Sequence, residues 1–151
     1  MSFGNIPTPS ETELTLDFWP ELAIAEFQRD YKINADFDEN TVTLNVKHAA
    51  FSVINELKKE EQLFKEAGFN HLEEVPQGSI LNELELCAFF KHAVFSMAKA
   101  KIYPQVASSS RKETSENLAQ YQTETTDYWQ AESRRALSAI KRQPYITVEL
   151  L

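Results

Sequence analysis

Three glycines, one cysteine and no long apolar run are the most informative shortages of this chain. So few glycines disfavour a sheet protein built on many tight hairpins and fit long helices with few turns. A single cysteine, Cys87, cannot form an internal disulfide. It stands among Leu84, Ala88 and Phe89, the company of a small buried hydrophobe rather than of a reactive thiolate. No stretch approaches the roughly 20 apolar residues of a membrane-spanning helix. The opening "MSFGNIPTPSE" has neither the basic segment nor the apolar run of a secretory signal. These shortages predict a soluble protein made in a reducing compartment. Basic residues are also scarce, and the net charge of −8 argues against a protein that coats nucleic acid through a basic face. It is compatible with one past which DNA must move without sticking.

Reactive chemistry is missing as well. His48, His71 and His92 are scattered, and none follows a glutamate by three residues, the spacing used in di-iron bundles. There is no His-Glu-x-x-His motif and no glycine-rich phosphate loop. Glu60–Glu61 and Glu73–Glu74 read as solvated faces rather than acid/base pairs. No metal or cofactor is implied, and a catalytic role is not expected.

What is present is enough for one domain. The chain has 151 residues, 42% of them hydrophobic, so it can bury a core without a covalent staple. Met1 to Ser10 reads as a mobile arm. "TELTL", Thr12 to Leu16, alternates like a short strand. Pro20 suits a first helical turn, predicting a helix from about Pro20 to Tyr31. A long helix is predicted from about Thr41 to Ala67 on the stripe Val46, Ala49, Val53, Leu57, Phe64 and Ala67, widened by Ala50 and Ile54.

That helix should stop sharply. Gly68 fits the left-handed position past a helix end, Phe69 can fold back on the last turn, and Val75–Pro76 forbids helix at Val75. A third helix is predicted from about Ser79, its cap, to Tyr103, with Leu81, Leu84, Cys87, Ala88, Val94, Phe95, Ala98 and Ile102 as apolar positions and Pro104 just past its end. The serine-rich 104–113 stretch reads as an exposed loop. A fourth helix is predicted from about Glu116 to Lys141, closed by Gln143–Pro144. The tail "YITVELL" alternates again. A lone strand needs a partner. The tail can pair with Thr12 to Leu16, in the same chain or a neighbour, add to another protein's sheet, or lie on the bundle.

The fold class is therefore all-α: a four-helix bundle over residues 17–144, with an N-terminal arm, 1–16, an extended tail, 145–151, and short strands at its ends. Phe18, Trp19, Tyr121, Tyr128 and Trp129 are large rings beside polar residues, a type favoured in interfaces and equally common in cores. Tyr128 and Trp129 are helix neighbours and point about 100° apart. One can face the core and the other a partner, while packing of both in the core is the more common case.

The ordered set "EEQLFKEAGFNHLEEVP", "FFKHAVFSMAKAKIY" and "YWQAESRRALSAIKRQPYITVEL" resembles the head completion proteins of temperate contractile-tailed bacteriophages. The resemblance runs from about Asn55 to Leu151. Each piece is weak alone, and their order and gaps make the likeness specific. One departure is at the last helix: where the family has a closing glycine and an arginine after the proline, this chain has Arg142-Gln143-Pro144-Tyr145.

The resemblance implies a connector adaptor rather than an enzyme. It implies a virion protein at the head–tail junction, made in the host bacterial cytoplasm. Its partners would be the portal protein, neighbouring copies in a dodecameric ring, and a tail or tail-completion protein. Packaged DNA would pass without sequence-specific binding, and no membrane is involved. The residues assigned to partner contact are Trp129, Arg134, Arg135, Arg142, Tyr145, Ile146, Val148 and Leu150, with the 104–113 loop. Arg134, Arg135 and Arg142 also suit the negative end of a helix dipole. Gly68, Phe69, Pro76 and Pro144 are assigned to shape, because they set the angles between long elements. Two rivals remain: a small cytosolic regulatory bundle that binds a partner helix, and a helical subunit whose active site is completed elsewhere.

Overall fold

The computed structural model describes residues 11–109 and 115–142, with side chains over 11–104 and 126–142. The described residues are mostly helical, with two small antiparallel strand pairs. In chain order they are β1 (Glu13–Leu14), β2 (Leu22–Ala23), α1 (Ile24–Asp30), α2 (Glu39–Glu56), α3 (Lys58–Glu66), a 3-10 turn (Leu72–Glu74), β3 (Ser79–Ile80), β4 (Glu83–Leu84), α4 (Glu85–Ser109) and α5 (Ser115–Lys141).

Helix α4 is the axis of the molecule. Phe90, Ala93, Val94, Phe95 and Ala98 are fully buried, and they point in several directions around the helix. A helix apolar on most sides must be covered on most sides. The buried face of α2, with Val42, Val46, Ala49 and Val53, covers one flank, and Ala136, Leu137 and Ile140 of α5 belong to the same core. At the α4–α5 contact the buried Ser133 hydroxyl donates to the Ala93 carbonyl at 2.8 Å. Small residues at these positions let the two backbones approach.

The N-terminal segment straps this core. Phe18 and Trp19 are 1% and 3% exposed, so the rings read from sequence as interface candidates are core residues. Trp19 stacks on Phe90 at 4.8 Å, Phe18 on Phe64 at 5.9 Å, and Trp19 Nε1 donates to Glu61 at 2.7 Å. The Leu72 N–H donates to the Phe18 carbonyl at 2.9 Å. The strand at 13–14 pairs with Leu22–Ala23, inside the stretch predicted to be helical. That pairing, with the Ile24 N–H donating to the Thr12 carbonyl, delays the first helix to Ile24.

The other boundaries shift for similar reasons. The predicted helix 41–67 is two helices. Leu57, fully buried, has ψ 14° and interrupts the ladder, although its N–H still reaches the Val53 and Ile54 carbonyls. The predicted helix start at Ser79 is wrong. Ser79 pairs with Leu84 in a hairpin and caps nothing. The cap of α4 is Gln77: its Oε1 accepts from the Leu86 N–H at 2.6 Å, while its Nε2 donates to the Leu72 and Val75 carbonyls. Pro104 lies inside α4, not past it. Its ring removes one ladder donor, yet the helix continues to Ser109. The arm 1–10 and the tail 143–151 lie outside the described residues.

Candidate assembly surfaces

Gly68 stands at the end of α3 with φ +100°, where a Cβ is disfavoured. The Phe69 N–H donates to the Phe64 carbonyl and the Gly68 N–H to the Lys65 carbonyl. These are the two crossed bonds of a Schellman cap. Phe69 is half-buried against the core. Val75 is extended at φ −70°, ψ 132°, as the following, exposed Pro76 requires.

Trp129 is half-buried on a ring cluster at the α1–α4–α5 junction. It lies 5.6 Å from Tyr31 and 6.4 Å from His92, with Lys99 Nζ 4.5 Å above its face. Its neighbour Tyr128 is the outward one, 50% exposed. Lys99 is largely buried and donates to the Tyr31 carbonyl, and burial lowers its pKa. The Tyr31 phenol, raised by burial and then by nearby carboxylates, stays protonated. Its hydroxyl is hydrogen-bonded with His92 Nδ1 at 2.7 Å, and the other ring nitrogen, Nε2, faces Glu132, 3.7 Å away. The Glu132 carboxyl is lowered chiefly by its hydrogen bond from Tyr128, and also by His92 and Arg135. Trp129 thus sits in a polar–aromatic network whose outer rim is Tyr128, Glu132 and Arg135.

Arg134, Arg135 and Arg142 are exposed. Arg135 Nη1 stands 3.7 Å from Glu132. Arg134 lines an open groove of about 410 Å³ with Met97, Ala100, Lys101, Pro104 and Gln130, between α4 and α5. Tyr145, Ile146, Val148, Leu150 and Pro144 lie outside the described residues, as do the 110–114 part of the loop and the side chains from 105 onward in it.

Sequence reading missed the most exposed apolar residues. Leu81 is 94% exposed and Ile80 53%, at the tip of the β3–β4 hairpin; Phe51 is 73% and Leu44 53% exposed on α2. Phe51 and Leu44 are seven residues apart, a spacing that marks one helix face. They were not separated from the buried stripe that dominates the same helix.

No group of three or more His, Cys, Asp or Glu able to hold a metal occurs among the described residues. Among the same residues no helix is long and apolar enough to cross a membrane.

A family model described as phage head completion protein (GPL) matches residues 15–151. No curated protein and no solved structure matches the chain. The matched span begins just after β1 and includes the strap, the Schellman cap and all five α-helices. The chain belongs to the phage head completion protein family.

Proposed function

We propose that this protein binds the portal vertex after DNA packaging, closes into a ring beneath it, stabilises the filled head and offers the surface to which the tail attaches. The match to the head completion family over residues 15–151 carries this reading. Membership supports a virion component that meets other head or tail parts, and fits a structural role. A ring of twelve copies matches the symmetry expected of a portal-bound adaptor. An acidic lumen would let DNA pass without gripping it, in line with the net charge of −8.

Trp129, Arg134, Arg135 and Arg142 are the candidates for partner contact on the helical body, and Tyr145, Ile146, Val148 and Leu150 on the tail. Gly68, Phe69, Pro76 and Pro144 set the shape of the wedge that must tile the ring. The test is co-sedimentation of the purified protein with portal rings, with and without residues 145–151. Binding by the full chain, weakened by the deletion, supports the reading. No binding by the full chain overturns it, and binding undiminished by the deletion removes the tail from the mechanism.

A further inference from the structure

We propose that the Ile80–Leu81 hairpin tip of one copy docks on the Leu44–Phe51 face of α2 in the next, and that this contact repeats around the ring. The proposal rests on the ring reading above and names the surfaces that would build it.

Leu81 has φ +50° and Asn82 φ +66°. A two-residue hairpin loop with both φ positive favours asparagine and glycine. A leucine held in the left-handed region is strained, because its Cβ crowds the following carbonyl oxygen. Its side chain is 94% exposed and gains no cover from the described residues in return. Strain without an internal benefit points to use elsewhere. The tip is also well supported. Lys91 bridges Glu83 of β4, at 3.4 Å, to Glu26 of α1, at 3.5 Å. The Glu85 N–H donates to the Gly78 carbonyl at 2.9 Å, closing the base of the hairpin.

The acceptor face is likewise uncovered by the described residues. At 100° per residue, Leu44 and Phe51 lie about 180° around α2 from the buried row Val42, Val46, Ala49 and Val53. They therefore look away from the core, with exposed Lys47 and His48 between them.

Charge says which surface meets which. The segment around the tip carries Glu73, Glu74, Glu83 and Glu85, of which Glu83 is paired with Lys91, so the tip stays acidic on balance. The α2 face carries Lys47, and Lys58 and Lys59 stand just beyond its end, where Glu56 is paired with Lys141, Glu61 with Lys65, and Glu60 is buried. A second copy of this chain thus offers the tip both apolar cover and opposite charge, whereas tip against tip would bring glutamates together.

The two patches differ, so the contact is heterologous, the type that builds rings where its rotation closes and is not an isologous two-fold contact. With two large apolar side chains on each surface, the contact is expected to be small beside the roughly 1,000 Å² of a stable complex. The protein should therefore stay monomeric in dilute solution and assemble where a vertex raises its effective concentration.

The test uses Phe51→Cys and Leu81→Cys, each in a Cys87→Ala background, mixed in equal amounts at high concentration in a glutathione redox buffer. Mixed disulfides several-fold above their statistical share support the contact. A statistical distribution, or an excess of either homodimer, overturns it. Both cysteines replace exposed residues, and circular dichroism checks that each variant is folded. If Cys87→Ala does not fold, Leu81→Asp and Phe51→Asp in the otherwise unchanged chain replace it. Fewer copies retained per portal ring with either aspartate, as weighed by mass photometry, support the contact, and an unchanged copy number overturns it. Portal co-sedimentation of the unmodified chain is run alongside. Full portal binding with statistical disulfides rejects the contact alone; enriched mixed disulfides without portal binding reject the portal reading alone.

Discussion

Replacing Gly68 isolates one physical cause. An alanine Cβ built at this position meets nothing within 4 Å, so no clash contributes. What remains is backbone: φ is +100°, well beyond the left-handed helical centre near +57°. Placing a Cβ residue in that region costs about 1–2 kcal/mol. Alanine also restricts the unfolded chain, which offsets about 0.4–1 kcal/mol. The net loss for Gly68→Ala should be about 1 kcal/mol, or roughly 2–4 °C in Tm for a chain of this size. Urea unfolding followed by tryptophan fluorescence is a suitable assay, because Trp19 is stacked in the core on Phe90. Gly68→Asn should lose less, since asparagine tolerates positive φ, and Gly68→Val should lose more, since β-branching stiffens the residue. The m-value should not change. Wild-type stability in Gly68→Ala, or a valine variant more stable than the alanine one, would refute the backbone argument.

Two further outcomes follow from buried or paired groups. Cys87 is 5% exposed and its thiol is pushed up to about 11, first by burial and then by the Glu73 charge. It should react with an aromatic disulfide reagent at neutral pH only as fast as the protein opens, and rapidly in denaturant; fast labelling of the folded chain would contradict its placement. Glu132 is held below its ordinary value, first by the Tyr128 hydrogen bond. A carboxyl lowered in the folded state adds stability that is complete above its unfolded pKa and lost as pH falls through the folded one. Tyr128→Phe should move the Glu132 titration upward, seen by carboxyl-carbon NMR, and shift the acid loss of stability to higher pH. An unmoved titration would show that the phenol is not the main cause.

Much of the helical content was legible because burial imposes a period. The stripe Val46, Ala49, Val53 and the run from Phe89 to Tyr103 could hardly be anything but helix. The interruption at Leu57 was not legible, since one non-helical residue leaves the spacing of its neighbours almost intact. The hairpin at 79–84 was hidden for a related reason. Leu81, Leu84, Cys87 and Ala88 also fit a helical stripe, and strands of two residues are too short to show a period of their own. Only Asn82, tolerant of positive φ, hinted at a turn.

Gln77 was passed over because a cap is normally sought in a short side chain beside the helix, and this one reaches nine residues along the chain to Leu86. Trp19 and Phe18 were ambiguous by chemistry, as rings with polar neighbours suit cores and interfaces alike. Their burial followed from the strap across α3 and α4, a long-range packing that no local pattern announces. The family was legible through the order of short motifs, even where single helix boundaries were not.

The most direct measurement is an asymmetric cryo-electron microscopy reconstruction of the head–tail junction in mature particles, alongside mass spectrometry of empty and filled heads. The protein should form a ring against the portal in filled heads and be missing from heads that have not packaged DNA. Its absence from mature particles, or a position elsewhere on the shell, would contradict a role at the vertex.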